Sequence, residues 1–138
     1  MKFNTLIPEL SVSDFEKSIY FYVKILGFKV EYRREENNFA FLSLNDAQIM
    51  IDKVNDNWNT GDLEYPYGRG INFQIEVDDI SPLLTSLNEN NYSIFISPKD
   101  NWYRVDDQLH GNREFLVQDP DGYLLRFSQD IGIKEVIS

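Results

Sequence analysis

The side chains of this sequence with the means to hold a ligand are aromatic and acidic rather than nucleophilic. Trp58, Tyr65 and Tyr67 fall in one aperiodic stretch, and Trp102 and Tyr103 in another. Such rings offer π faces to a planar or cationic ligand, each contact worth roughly 0.5 to 2 kcal/mol. The competing use of these rings is to pin a loop to the core or to a second subunit, because indole favours partial burial. His110 is the only histidine and stands beside Gly111 in an irregular segment, which reads as a solvent-exposed side chain rather than a general base. Cysteine is absent, so neither thiolate nor disulfide chemistry is available. No glycine-rich phosphate loop, nucleophile elbow or basic cluster occurs.

Thirteen basic against twenty-three acidic side chains leave a formal charge of −10. That balance repels nucleic acid and anionic lipid and favours cationic partners. With 138 residues, 42% apolar and 14% aromatic, the chain reads as one folded domain, residues 1–138. No apolar run approaches the roughly 18 to 20 residues of a membrane span, and no basic-then-apolar leader precedes Asn4. A cytoplasmic protein is the expectation.

The elements that must position these side chains are organised around Arg113-Glu114-Phe115-Leu116-Val117, the turn Asp119-Pro120-Asp121-Gly122, and Tyr123-Leu124-Leu125-Arg126-Phe127. Pro120 fixes φ for the turn, Asp119 and Asp121 can bond local amides, and Gly122 accepts positive φ, so a hairpin is predicted over 113–127. Upstream, residues 5–12 read as a strand, and Ser13 or Asp14 as the cap of a helix whose apolar face is Phe15, Ile19, Tyr22 and Leu26. Gly27 suits its C-cap. Strands are predicted over 28–34, 39–44 and 48–54. Residues 55–70 lack periodicity and read as a connecting loop. A strand over 71–77 leads into a helix with Ser81 as cap, Pro82 at its first position and Ile80, Leu83, Leu84 and Leu87 as its stripe. The spacing then predicts a strand over 92–97, a turn over 98–101 and an irregular segment over 102–112.

Side by side, the halves are one unit used twice. Val12-Ser13-Asp14-Phe15 matches Val77-Asp78-Asp79-Ile80 65 residues further on, and Gly27-Phe28 matches Asn91-Tyr92. The prediction is an α+β fold of two tandem βαβββ modules, residues 3–54 and 71–129 joined by 55–70, forming a curved mixed sheet around a cleft.

These residues resemble the vicinal oxygen chelate superfamily, which includes glyoxalase I, extradiol dioxygenases, fosfomycin-inactivating thiol transferases and bleomycin resistance proteins. The resemblance rests on the two Val-x-Asp starts before the helices, on Leu26-Gly27-Phe28, and on Arg113-Glu114-Phe115 with Asp119-Pro120-Asp121-Gly122-Tyr123-Leu124, and it spans residues 3 to 129. It implies that catalytic members hold a divalent metal with one side chain from the first and one from the last strand of each module. The matching positions here are Ile7 and Asn72, each seven residues before Asp14 or Asp79, with Met50 and with Arg126, four residues after Gly122. Isoleucine cannot bind a metal, methionine suits a hard cation poorly and a guanidinium has no acceptor, so only Asn72 could contribute. No metal or other cofactor is therefore expected, which fits the bleomycin-resistance branch, whose first strand resembles Leu6-Ile7-Pro8-Glu9-Leu10.

That branch implies a homodimer that sequesters a cationic, aromatic drug in grooves between subunits without converting it. Glu9 and Asp52 share strand parity with Ile7 and Met50, so both should face the cleft. They either bind a cation or pair with Arg126, for which Glu114 is another possible partner. Glu9, Asp52, Trp58, Tyr65, Tyr67, Asn72, Trp102, Tyr103 and Arg126 are thus the candidate ligand-binding residues. The rival readings are an enzyme with a relocated metal on Glu9, Asp52 and Gln74 or Glu76, a metal-independent lyase or isomerase, and a sensor whose Arg126 clamps an anionic metabolite.

Overall fold

The apolar stripe of the first helix is buried as its spacing predicts, with Phe15, Ile19, Tyr22 and Leu26 all at 9% exposure or less. Its backbone is less regular than the spacing. In the computed structural model, which describes residues 2–136, helix α1 (Phe15–Ile19) passes into a π-helical stretch, Tyr20–Ile25. There the Leu26 N–H reaches the Phe21 carbonyl at 3.0 Å, one residue further back than in an α-helix. The wider turn also directs Phe21 and Ile25 into the core. Asp14 is the cap, accepting from the Lys17 N–H at 3.1 Å, and Gly27 follows at φ +85°.

Two compact units form: Met1–Arg69 with Asp119–Gly122, and Gly70–Gln118 with Tyr123–Ser138. The first carries β1 (Glu9–Val12), β2 (Lys29–Arg34), β3 (Phe39–Leu44) and β4 (Ala47–Lys53) in the order β1-β4-β3-β2. The second carries β5 (Asn72–Glu76), α2 (Ser81–Glu89), β6 (Ile96–Val105), β7 (Gln108–Gln118) and β8 (Leu124–Glu135), in the order β5-β8-β7-β6. In both sheets the first strand pairs parallel to the last and the others are antiparallel. The duplication seen in the sequence is therefore a duplication of topology, and the fold is α+β with two four-stranded mixed sheets.

Three local expectations are corrected. The strand predicted over 92–97 is displaced: β6 runs from Ile96 through Pro98 to Val105, where a turn and an irregular segment were expected. It is the edge strand, which tolerates proline, and a register shift between Ile96 and Lys99 absorbs Pro98. Because nearly every residue of β6 is exposed, no alternation marks it in the sequence. The hairpin over 113–127 likewise extends to Gln108 and Glu135, so His110 stands on β7, while Trp102 and Tyr103 stand on β6, and none of the three is in a loop. At α2 the N-cap position is Ile80, without a side-chain cap; Asp79 accepts from the Ser81 N–H at 2.9 Å just ahead of the helix, and Ser81 is already helical.

The central hairpin buries one face, with Phe115, Val117, Leu125 and Phe127 fully buried and Phe115 stacked on Phe127 at 5.5 Å. Its turn forms as expected, with the Gly122 N–H on the Asp119 carbonyl at 2.9 Å and Gly122 at φ +98°. The turn's carboxylates do more than close it. Asp119 accepts from the Asp121 N–H at 2.9 Å and from the buried Tyr22 hydroxyl at 2.7 Å, while Asp121 accepts from the Ser13 N–H at 3.0 Å and its hydroxyl at 2.5 Å.

Candidate ligand groove

Strand register in the first sheet builds a site from two parallel rows of side chains. One row crosses Arg34 of β2, Phe39 of β3 and Asp52 of β4; the next crosses Tyr32, Phe41, Met50 and Glu9 of β1. Residues two apart on a strand share a face, so both rows look the same way. All of these but Phe41, together with Trp58 from the following loop, border an open groove of about 590 Å³. Asn37, Asn55 and Asn57 complete its rim. Tyr32 lies flat against Phe41 at 5.4 Å and 5°, and against Phe39 at 6.0 Å. The Arg34 guanidinium sits 4.0 Å from the centre of the Phe39 ring and 5.8 Å from that of Tyr32.

The acids of the groove are coupled. The Glu9 carboxyl is held above its ordinary value of 4.5, first by loss of solvation and then by its hydrogen bond to Asp52 and that residue's charge. A hydrogen bond from the Trp58 indole and the charge of Arg34 pull the other way. Glu9 is exposed over the residue as a whole, so the desolvation is local to the carboxyl end. Asp52 is buried to 8% exposure and accepts from the Asn55 side-chain amide at 2.9 Å. Adjacent carboxyls repel one another when both are ionised, so a cation placed between them relieves that repulsion.

Of the candidates read from the sequence, Glu9, Asp52 and Trp58 meet here. Tyr65 and Tyr67 do not line the groove: the Tyr67 N–H donates to the Asp121 carbonyl at 2.8 Å, and Pro66 lies so close to Gly122 that a Cβ there would be 2.5 Å from the proline Cβ. They anchor the loop. Asn72 and Arg126 meet in the second unit, where Arg126 Nε donates to Asn72 Oδ1 at 3.1 Å and its Nη1 lies 3.8 Å from Glu114. Asn101 and Asn112 each donate to Glu114 at 3.3 Å. Of the possible partners for that guanidinium, Glu114 is the one found, while Glu9 and Asp52 engage each other. Trp102 lies across Gly111, whose missing side chain leaves room for the indole, and Lys134 Nζ is 3.9 Å from its ring. Tyr103 stacks on His110 at 6.1 Å.

Sequence reading missed Tyr32, Arg34 and Phe39. Strand β3 is apolar on both faces, from Phe39 through Ser43 all buried, so alternation gives no sign of which face borders a groove. A signal was present in the tight connection over residues 35–38, which places residues 34 and 39 opposite each other.

The residues at the superfamily's metal positions do not fit a metal. Met50 offers a thioether, the Asn72 oxygen already accepts from a guanidinium, and Arg126 supplies that positive charge. Among the described residues no group of three or more His, Asp or Glu side chains is arranged to hold an ion.

A family model, the Glyoxalase/Bleomycin resistance protein/Dioxygenase superfamily, matches residues 4–127. A bleomycin resistance protein of Geobacillus stearothermophilus is 32% identical over 140 residues, covering 91% of this chain and 96% of that protein. A probable lactoylglutathione lyase of Vibrio cholerae is 27% identical, covering 88% and 86%. The crystal structure of TioX from Micromonospora sp. ML1 superposes with a TM-score of 0.70 at 17% identity, over 93% of this chain and 99% of that one, a likeness of fold.

Proposed function

Because the chain belongs to the glyoxalase/bleomycin resistance protein/dioxygenase superfamily, we propose that it binds a cationic, aromatic, drug-like molecule of the bleomycin kind and holds it without converting it. The observation that carries this reading is the Glu9–Asp52 carboxyl pair, with Trp58 hydrogen-bonded to Glu9 and Tyr32 and Phe39 alongside, in one open groove. The rings offer stacking and cation–π attraction, and the acids offer the counter-charge. A volume near 590 Å³ suits a drug-sized ligand. The formal charge of −10 speeds the approach of a cation. A positive group set between Glu9 and Asp52 relieves the repulsion of two adjacent carboxylates. The proposed assembly is a cytoplasmic homodimer, as the resemblance to the bleomycin-resistance branch implies. No helix of the described residues is long and apolar enough to cross a membrane.

The test is a titration with copper-loaded and with metal-free bleomycin, following Trp58 emission in a Trp102→Phe background. A saturable change that Asp52→Asn weakens is expected; no change at high micromolar drug would sink the reading. Sedimentation equilibrium tests the dimer.

A lyase reading draws support from the Vibrio relative's name, but the donor set at the metal positions opposes it. Formation of lactoylglutathione by the purified protein, with or without added divalent metal, would move the balance. An anionic metabolite on Arg126 would have to displace Asn72 and Glu114.

A further inference from the structure

We propose that Arg34 is a built-in competitor for the groove: its guanidinium occupies the cation's place over Phe39, and a ligand cation enters by displacing it. The proposal rests on reading the groove as a cation site and adds which ligands that site admits.

The placement follows from the hairpin. The 3₁₀ turn Glu35–Asn37 and the left-handed Asn38 at φ 49° set the register that puts Arg34 opposite Phe39. From there the guanidinium covers the Phe39 ring at 4.0 Å, inside the distance at which a cation is attracted to a ring face. Guanidinium is weakly hydrated and planar, so it stacks where an ammonium would stay in water. The neighbouring Arg33 is used differently. It is fixed by Glu16 at 2.8 Å and Glu35 at 3.1 Å. Arg34 has no ion pair within 4.0 Å among the described residues and is exposed, so nothing but the rings and the charge of Glu9 holds it in the groove. Those are the features offered to a ligand.

A consequence for specificity follows. A small monocation exchanges one positive group over Phe39 for another and gains little. A ligand that also spans to Glu9 and Asp52, or lays a wider planar cation over Tyr32 and Phe39, gains more than Arg34 gives up. Arg34 therefore selects extended or multiply charged cations over simple amines and guanidines.

The experiment measures methylguanidinium binding by Trp58 fluorescence in the Trp102→Phe background, with and without Arg34→Gln. Arg34→Gln is expected to tighten binding about 2- to 30-fold, the range of one cation–π contact. Equal or weaker binding in Arg34→Gln overturns the proposal. So does a gain that survives Phe39→Leu in the same background, because that gain would come from long-range charge and not from the ring. Arginine side-chain NMR gives a second readout: the ring-shifted Arg34 signals of the wild type should move to unshifted positions as bleomycin saturates, and static signals would overturn displacement. Failure of the underlying reading looks different. If Arg34→Gln gains methylguanidinium but bleomycin binds neither protein, the drug is wrong and the competitor stands; if bleomycin binds both and methylguanidinium is indifferent to Arg34, the drug stands and the competitor falls.

Discussion

The two units share one strand order but settle their charges in opposite ways. At matching places between the first and last strands, the first unit has Glu9 beside Met50 and the second has Gln74 beside Arg126. In the second unit the guanidinium is answered by Asn72 and Glu114, and Glu114 by two asparagines, so the cluster is satisfied from within. In the first unit two carboxyls face each other, one holding its proton more tightly than usual, and the cation nearest to them rests on an aromatic ring instead of in a salt bridge. A polar cluster satisfied from within has little to offer a ligand, whereas a frustrated one does. A duplicated scaffold has thus kept one half as a closed network and left the other open.

The sharpest way to break that contrast uses glycine. Gly122 at φ +98° lies in the first unit, and a Cβ there would meet Pro66 at 2.5 Å. Gly132 of the second unit has a similar φ of +104° with nothing within 4 Å. Gly122→Ala should destabilise by about 3 to 5 kcal/mol, strain plus overlap, and Gly132→Ala by only about 1. Urea midpoints test this, and equal losses would mean that the close approach to Pro66 relaxes freely.

Next in size is Tyr22→Phe, which removes a donor from the buried Asp119 carboxylate. A loss of about 1 to 3 kcal/mol is expected in the same measurement. For bleomycin affinity, Glu9→Gln should cost about tenfold, near the worth of one charge-assisted contact, and Arg126→Met nothing. A larger effect at Arg126 than at Glu9 would reverse the roles assigned to the two units.

The acidity of Glu9 gives a pH test. Its folded pKa lies above the ordinary 4.5, so between 4.5 and the raised value the folded state binds more protons than the unfolded one. Stability should therefore fall as pH rises through that window, while affinity for a cation rises. Asp52→Asn removes two of the causes and should move the Glu9 carboxyl signal in an NMR titration to lower pH. The smallest effect is expected from Glu114→Gln, below about 1 kcal/mol, since Arg126 is about a third exposed and water can replace its partner.

Much of this was legible in the chain itself. The duplicated module, the buried faces of both helices and the hairpin turn follow from apolar spacing and from Asp-Pro-Asp-Gly, because periodicity and turn chemistry are local properties. Strand β6 was not legible, since an exposed edge strand carries no alternation. Nor was the work of Asp119 and Asp121 beyond their own turn, because Tyr22 and Ser13 lie 97 and 108 residues away along the chain.

By itself the sequence determined the folding unit, its repetition, the acidic character, and the loss of usable donors at the superfamily's metal positions. Only the tertiary structure decided that Arg34 lies over Phe39, that Glu9 meets Asp52 and Trp58, and that Arg126 is satisfied by Asn72 and Glu114. Composition and period record what each residue prefers, whereas strand register chooses its neighbours, and a binding site is made of neighbours.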